Sequence, residues 1–286
     1  MFLFTSIRII YRAASQWSDN GGARLGAALA YYAIFSIAPL MLIAIHAAGA
    51  IYGEDAAMGK IHKRLEQVMG KEVAVSVESF VETAARPTET AWTPTLSVAI
   101  LVFTALGAFL HVRNSLALIW KLEPPHGNTW LGMLWDYVLA VTMVFIVATL
   151  LLCSLAASIA VPTIRRVVLE ADIAEDRAME WIELGASFLF LTVLFAAVYR
   201  ILSGGQIGFG YVIYGSFIAA VLFTAGKTLL GYYIVYSGTE SMYGAAGSVV
   251  VFMLWVYYSA QILFFGAELI QARRTRHEWM VAKTEG

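Results

Sequence analysis

The sequence predicts an all-α fold: a polytopic membrane bundle of six spanning helices. An interfacial helix at the amino terminus and short amphipathic helices in the first outer loop complete the expected layout. Three observations carry this. Of 286 residues, 60% are hydrophobic and only 14% charged, against roughly a quarter charged in ordinary globular proteins. Mean hydropathy is +0.72, so there is too little charge to solvate the surface of a globule of this size. The apolar residues are also gathered into long runs, six of which reach or approach the roughly 20 residues that cross a hydrocarbon core of about 30 Å.

The amino terminus comes first. Phe4, Ile7, Ile10, Tyr11 and Ala14 fall at helical spacing, with Arg8 and Arg12 elsewhere on the wheel. That pattern suits a helix lying in the membrane interface. Arg8 interrupts the apolar stretch and no charged region precedes it, which argues against a cleavable signal peptide. The spans then run at about 25–51, 94–112, 133–161, 182–202, 211–235 and 243–271. The first, third and sixth are overlong, which predicts tilt, kinks or ends that project from the bilayer. Pro39 lies within the first span, where it removes a backbone donor and predicts a kink. Between the first two spans, Ile61, Leu65 and Val68, then Val73, Val77 and Phe80, recur at helical steps between charges. Two amphipathic helices broken around Gly70 are expected there. Residues 162–181 read as a helical continuation of the third span with an acidic tip. No linker, low-complexity tract or repeat divides residues 1–286, so the chain is one integral membrane domain.

Six spans place both termini on one side. That side holds ten basic and four acidic residues, and the opposite side eight basic and fourteen acidic. The bias predicts cytoplasmic termini. Net charge is −1, which excludes a polybasic nucleic-acid surface. The single cysteine, Cys153, excludes an internal disulfide and a cysteine-built zinc site. No cofactor or metal is expected.

Charges inside spans are the sharpest local signal, because an unpaired one costs about 2.5–3.5 kcal/mol at a helix centre on insertion scales. Lys227 is the clearest case, about 6 Å past the middle of its span toward the outer side. It either snorkels outward or faces the bundle interior, where it binds an anionic substrate group or a carboxylate. Phe223 and Gly231 lie one turn either side of it, so any partner must come from another helix. Glu268, Asp136, Arg113 and Arg200, with His111, fall near the cytoplasmic ends of spans. They form either a ring of paired interfacial charges or a gate or ion-coupling site. Tyr32, Ser36 and Pro39 share one face of the first span by i,i+4 and i,i+3 spacing. The polar groups of Tyr257 and Gln261, with Tyr258, stand mid-membrane in the sixth. Each set lines a substrate cavity or is satisfied by helix–helix hydrogen bonding. Trp92, Trp130, Trp135 and Trp181 near span ends read as interfacial anchors. The paired glycines are packing or turn glycines, since none follows a strand as a phosphate-cradling loop requires.

Three stretches carry a family likeness. They are RLGAALAYYAIFSIAPLMLI (24–43), RNSLALIW (113–120) and YGAAGSVVVFMLWVYYSAQILFFGAEL (243–269). In sequence, order and six-span layout the chain resembles the YihY/virulence factor BrkB family. That resemblance implies a bacterial inner-membrane protein, in a family whose members have been linked to serum resistance or lipid-precursor export. Members have also carried the label ribonuclease BN. Metal-dependent RNA hydrolysis needs a clustered His/Asp set; His46, His62, His111, His126 and His277 are scattered, so ribonuclease activity is not expected.

Transport is the function the residues favour: a transporter or flippase-like carrier of a lipid-related or anionic substrate. Lys227, Tyr32, Ser36, Tyr257 and Gln261 would contact the substrate. Membrane lipids are the expected partners, and the small bundle suggests a homo-oligomer. The alternative is a structural or partner-binding protein that docks a periplasmic partner on the acidic outer loops. An intramembrane enzyme is disfavoured. Ser187 and Ser248 lack a histidine at matching depth, and Asp136 is the single intramembrane aspartate where an aspartyl protease needs two.

Overall fold

A computed structural model describes residues 2–36, 65–66, 70–84, 93–122, 132, 138, 142, 176–237 and 246–285. Within them the chain is helical throughout: α1 (Phe2–Asp19), α2 (22–36), α3 (Lys71–Ala84), α4 (Thr93–Trp120), α5 (Asp176–Leu202), α6 (Phe209–Ser237) and α7 (Gly247–Glu285). Residues 37–51 of the first predicted span, with Pro39, lie outside the described residues. So does the third predicted span apart from 138 and 142, both helical, and with it Asp136.

Glycine sets the breaks. Gly21 (φ +69°) ends α1 in the left-handed conformation that favours a residue without Cβ. Its carbonyl then accepts from Leu25 N–H at 3.1 Å to open α2. Gly204 and Gly205 (φ +57° and +79°) form the turn between α5 and α6. Arg200 fastens that turn by donating to Gly205 O (3.1 Å) and Ile207 O (2.6 Å).

α7 is the hub. It packs against α1, α3, α4 and α6, while α5 lies against α6 and α4. On α6 the buried residues Val212, Gly215, Ser216, Ala219, Ala220, Phe223 and Gly226 recur at three- and four-residue steps, giving one face lined by small side chains. Small residues let membrane helices approach closely, where packing and hydrogen bonds replace the hydrophobic drive. A Cβ on Gly215 would strike Ile270, and one on Gly266 would strike the Tyr199 hydroxyl and come within 3.1 Å of Ala219 Cβ. Polar tips are satisfied on backbone carbonyls: Tyr199 Oη–H donates to Leu263 O at 2.8 Å, and Trp120 Nε1–H to Ala267 O at 3.0 Å. Trp120, Tyr199 and Phe264 centre the core there.

Three helical stretches are long and apolar enough to cross a membrane among the described residues: Leu184–Leu202, Phe209–Ser237 and Gly247–Arg276. Fewer than half of the residues in these stretches are buried in the protein, and Leu189, Phe217, Leu229 and Tyr232 stand exposed. Apolar side chains arrayed all round a helix call for a lipid surrounding.

Four helices differ from expectation. α5 starts at Asp176, so residues 176–181 belong to it and do not continue the third span. α7 runs on to Glu285, past its predicted end at 271. α4 runs eight residues past its predicted end at 112 because Leu116, Ile119 and Trp120 are buried against α5 and α7, so packing carries the helix beyond its apolar run. α1 buries Ile9 and Ala13 against Leu269 and Ala272, whereas Ile10 and Tyr11 are exposed. The helix wheel identifies the outward apolar face; the protein-facing one is a second, narrower stripe.

Candidate functional site

α3 owes its place to a short apolar stripe. Val73, Ala74 and Val77 are fully buried, and the two valines pack on Ile234, Val251, Phe252 and Val256. This seats α3 across the end of the bundle where α6 finishes and α7 begins. Gly70 (φ +92°) turns the chain immediately before it, and Ala74 N–H donates to Gly70 O at 3.1 Å. Glu72, on the flank of this stripe, is thereby directed at α6. Its Oε2 comes within 3.2 Å of where a Cβ on Gly231 would stand. A side chain at 231 would therefore compete with the carboxylate for space.

Gly231 is one turn beyond Lys227. The two, with Thr228, Tyr232, Val235 and Tyr236, form one wall of an open pocket of 390 Å³; Glu66, Gly70 and Glu72 form the other. Such a volume falls in the roughly 300–1,000 Å³ range of small-molecule sites. The wall from α6 supplies one ammonium and two phenols, and the other wall two carboxylates. Lys227 is half-buried and lies about 15 Å from the end of α6 at Ser237 by helical rise. On the opposite side of the same turn, Tyr258 rests on Gly226 and donates to Leu222 O at 3.0 Å. That contact fixes α7 against α6 beside the lysine.

A second polar cluster lies at the other end of α7. Glu268 is 1% exposed, and its Oε1 accepts from Asn20 Nδ2 at 2.6 Å. Among the described residues its Oε2 has no hydrogen-bond partner, and neither do Gln271 Oε1, one turn on, or Gln16 Oε1, one turn before Asn20. Lys121 and Asp19 lie within electrostatic reach. Gln261 sits against Gly26 and accepts from Trp17 Nε1 at 3.1 Å.

The remaining predicted residues are placed as follows. Tyr32 packs on Gly107, 2.7 Å from its would-be Cβ, and tilts against His111, ring centroids 5.9 Å apart. His111 Nε2–H in turn donates to Leu25 O at 2.8 Å. Ser36 Oγ donates within its own helix, to Tyr32 O and Ala33 O. Tyr257 is half-buried beside the α3 cluster. Arg113 is half-buried and Arg200 is engaged by its turn. The structure thus places Lys227 in one pocket with Glu66 and Glu72, and joins Glu268 to Asn20, Gln261 to Trp17, and Tyr32 to His111. Glu66, Glu72, Asn20 and Trp17 were not among the predicted site residues. Glu72 stands on the polar side of a legible amphipathic helix, which was the one available signal. Among the described residues no three His, Cys, Asp or Glu side chains gather as a metal-holding group.

The sequence profile described as Virulence factor BrkB matches residues 13–284. The chain is 26% identical over 264 residues to a UPF0761 membrane protein of Azotobacter vinelandii, covering 90% of this chain and 61% of the relative. A UPF0761 membrane protein of Legionella pneumophila is 24% identical, with 89% and 59% covered. An uncharacterized protein of Dickeya dadantii is 24% identical, with 91% and 81% covered. The chain spans about three-fifths of the length of the first two. No solved structure matches it. With apolar helices of spanning length and a family match over nearly the whole chain, it is an integral membrane protein that belongs to the BrkB virulence-factor family.

Proposed function

We propose that this protein is a carrier, a transporter or flippase-like protein for a lipid-related or anionic substrate, and not an enzyme. It acts in a bacterial inner membrane as a six-span bundle with both termini in the cytoplasm. The observation that carries this reading is the open pocket in which Lys227 stands opposite Glu66 and Glu72. A charged group kept inside an apolar helix and lining a cavity marks a substrate or ion path more often than a purely structural contact. Lys227 is the charge contact for substrate. Glu268, with one oxygen held by Asn20, is the group through which a proton or cation would couple, at the cytoplasmic end of α7. Lys121 and Asp19 lie near that carboxylate, and Tyr32, Tyr257 and Gln261 hold the helices together.

The test is reconstitution in vesicles, following movement of a fluorescent phospholipid between leaflets. Lys227→Met should slow it about tenfold, a loss of about 1.4 kcal/mol of interaction, with unchanged elution from a sizing column. A Lys227→Met protein that moves lipid at the wild-type rate sinks the assignment of this residue. The close-packed core around Trp120, Tyr199 and Phe264 favours a second reading, a rigid protein that docks a periplasmic partner. It would be supported by a wild-type protein that moves no lipid.

A further inference from the structure

We propose that the Lys227 pocket holds the headgroup of a zwitterionic phospholipid, one that carries both a phosphate and a primary ammonium. The inference rests on the carrier reading of this site and narrows it.

The charges decide the class. Two carboxylates, Glu66 and Glu72, face one ammonium, Lys227, across a pocket of 390 Å³. Its formal charge of −1 disfavours a ligand that is only anionic, because a phosphate brought to Lys227 would also be brought to the carboxylates. In a half-desolvated site such like-charge contacts cost far more than in water. A ligand with phosphate and ammonium a few bonds apart meets both walls. The phosphate takes charge-assisted hydrogen bonds from Lys227 Nζ, and the ammonium donates to Glu72 and Glu66, each short and roughly twice as strong as a neutral pair. The ligand adds no net charge, so the buried electrostatic balance is kept.

The surroundings point to a lipid and not a free headgroup. Leu229, Tyr232, Tyr233, Val235 and Tyr236 are all exposed on the same part of α6, within a helix of membrane-spanning length. Tyr232, Val235 and Tyr236 line the pocket itself, so an acyl chain leaving it runs along an apolar flank. Tyrosines at such a level suit the boundary between headgroup and chain, with the ring in the apolar phase and the hydroxyl among polar groups. Gly231 is part of the recognition: without a side chain it leaves Glu72 the room to reach α6.

The experiment is lipid retention by the purified full-length protein. Native mass spectrometry follows release from micelles containing equimolar phosphatidylethanolamine and phosphatidylglycerol. Wild-type protein should keep the ethanolamine lipid about tenfold over the glycerol lipid, and Glu72→Gln or Glu66→Gln should erase that preference. Lys227→Met should lower retention of both lipids, and Lys227→Arg should restore it. Equal retention by the wild type, or a preference that survives Glu66→Gln with Glu72→Gln, overturns the proposal. Soluble phosphoethanolamine that displaces the lipid at equal concentration overturns the lipid source. Should a variant not fold, the wild-type ratio and the soluble competitor still decide. Selective retention by a protein that moves no lipid sinks the carrier reading and leaves the headgroup assignment; movement without headgroup preference does the reverse.

Discussion

Asn20 and Glu268 show how much a single side-chain contact carries in this bundle. A hydrogen bond to an ionised group contributes about 1.5–3 kcal/mol, against about 0.5–1.5 kcal/mol for a neutral one. Asn20→Ala should therefore lower stability by the larger amount under conditions where Glu268 is ionised, and by the smaller amount in a Glu268→Gln background. Glu268→Gln alone keeps an oxygen for Asn20 Nδ2 and removes a charge from a residue 1% exposed. It should leave the thermal midpoint in detergent unchanged or raise it, since burying an incompletely paired charge is costly. A midpoint that falls on Glu268→Gln as far as on Asn20→Ala would show that the charge itself is compensated. Glu268 was legible in the sequence as a carboxylate in an apolar run; its partner was not. Asn20 precedes two glycines and reads as a turn residue, which it also is, so its side-chain role is hidden. The same holds for Lys227. Its burial follows from its place in an apolar run, whereas Glu72 comes from a helix 155 positions earlier that no periodicity within α6 can indicate.

Glycines on the long helices separate packing from propensity. Alanine for glycine inside a helix gains about 1 kcal/mol where nothing obstructs it. At Gly185 nothing lies within 4 Å of the added Cβ, so Gly185→Ala should raise stability. At Gly266 the Cβ would meet the Tyr199 hydroxyl and Ala219, where α5, α6 and α7 converge. Gly266→Ala should cost about 1–3 kcal/mol, as overpacking does, and free Tyr199 from Leu263 O. Thermal unfolding of the two variants in the same detergent checks the contrast; equal shifts would mean that the helices part at no cost. Element boundaries follow the same division. The sequence predicts spans at 182–202 and 211–235, close to helical stretches that end at Leu202 and run from Phe209 to Ser237, because glycines and an apolar run mark both limits. It stops the second span at 112 and the last at 271, where the apolar run stops. The helices continue to Trp120 and Glu285, and in α4 the continuation is held by burial against other helices. Hydropathy registers the membrane and is blind to that packing.

At the scale of the whole molecule, the pocket has a function only once its side of the membrane is known. On the six-span layout expected from the sequence, acidic residues fall mostly in the loops on the Lys227 side, and basic residues outnumber acidic ones on the side of the termini and the 203–208 turn. Under the positive-inside rule that turn is expected on the cytoplasmic side, which would place Lys227 in the outer half with its pocket open toward the periplasmic leaflet. The single cysteine makes this directly measurable. In a Cys153→Ser background, Tyr236→Cys and Gln206→Cys place one thiol at each end of α6, both at exposed positions. A membrane-impermeant maleimide added to intact spheroplasts should label the first, and should reach the second only after the membrane is opened. The reverse pattern would put the zwitterionic pocket on the cytoplasmic leaflet and Glu268 outside, turning the proposed direction of lipid movement around. Labelling of both from outside would mean that α6 does not span. Because the charge imbalance between the two sides lies mostly in acidic residues, to which insertion is nearly indifferent, reversing orientation should take few changes. Moving two or three arginines from the terminal side to the acidic loops should invert the labelling, while the packing of α5, α6 and α7 around Tyr199, which contains none of those charges, stays the same in either orientation.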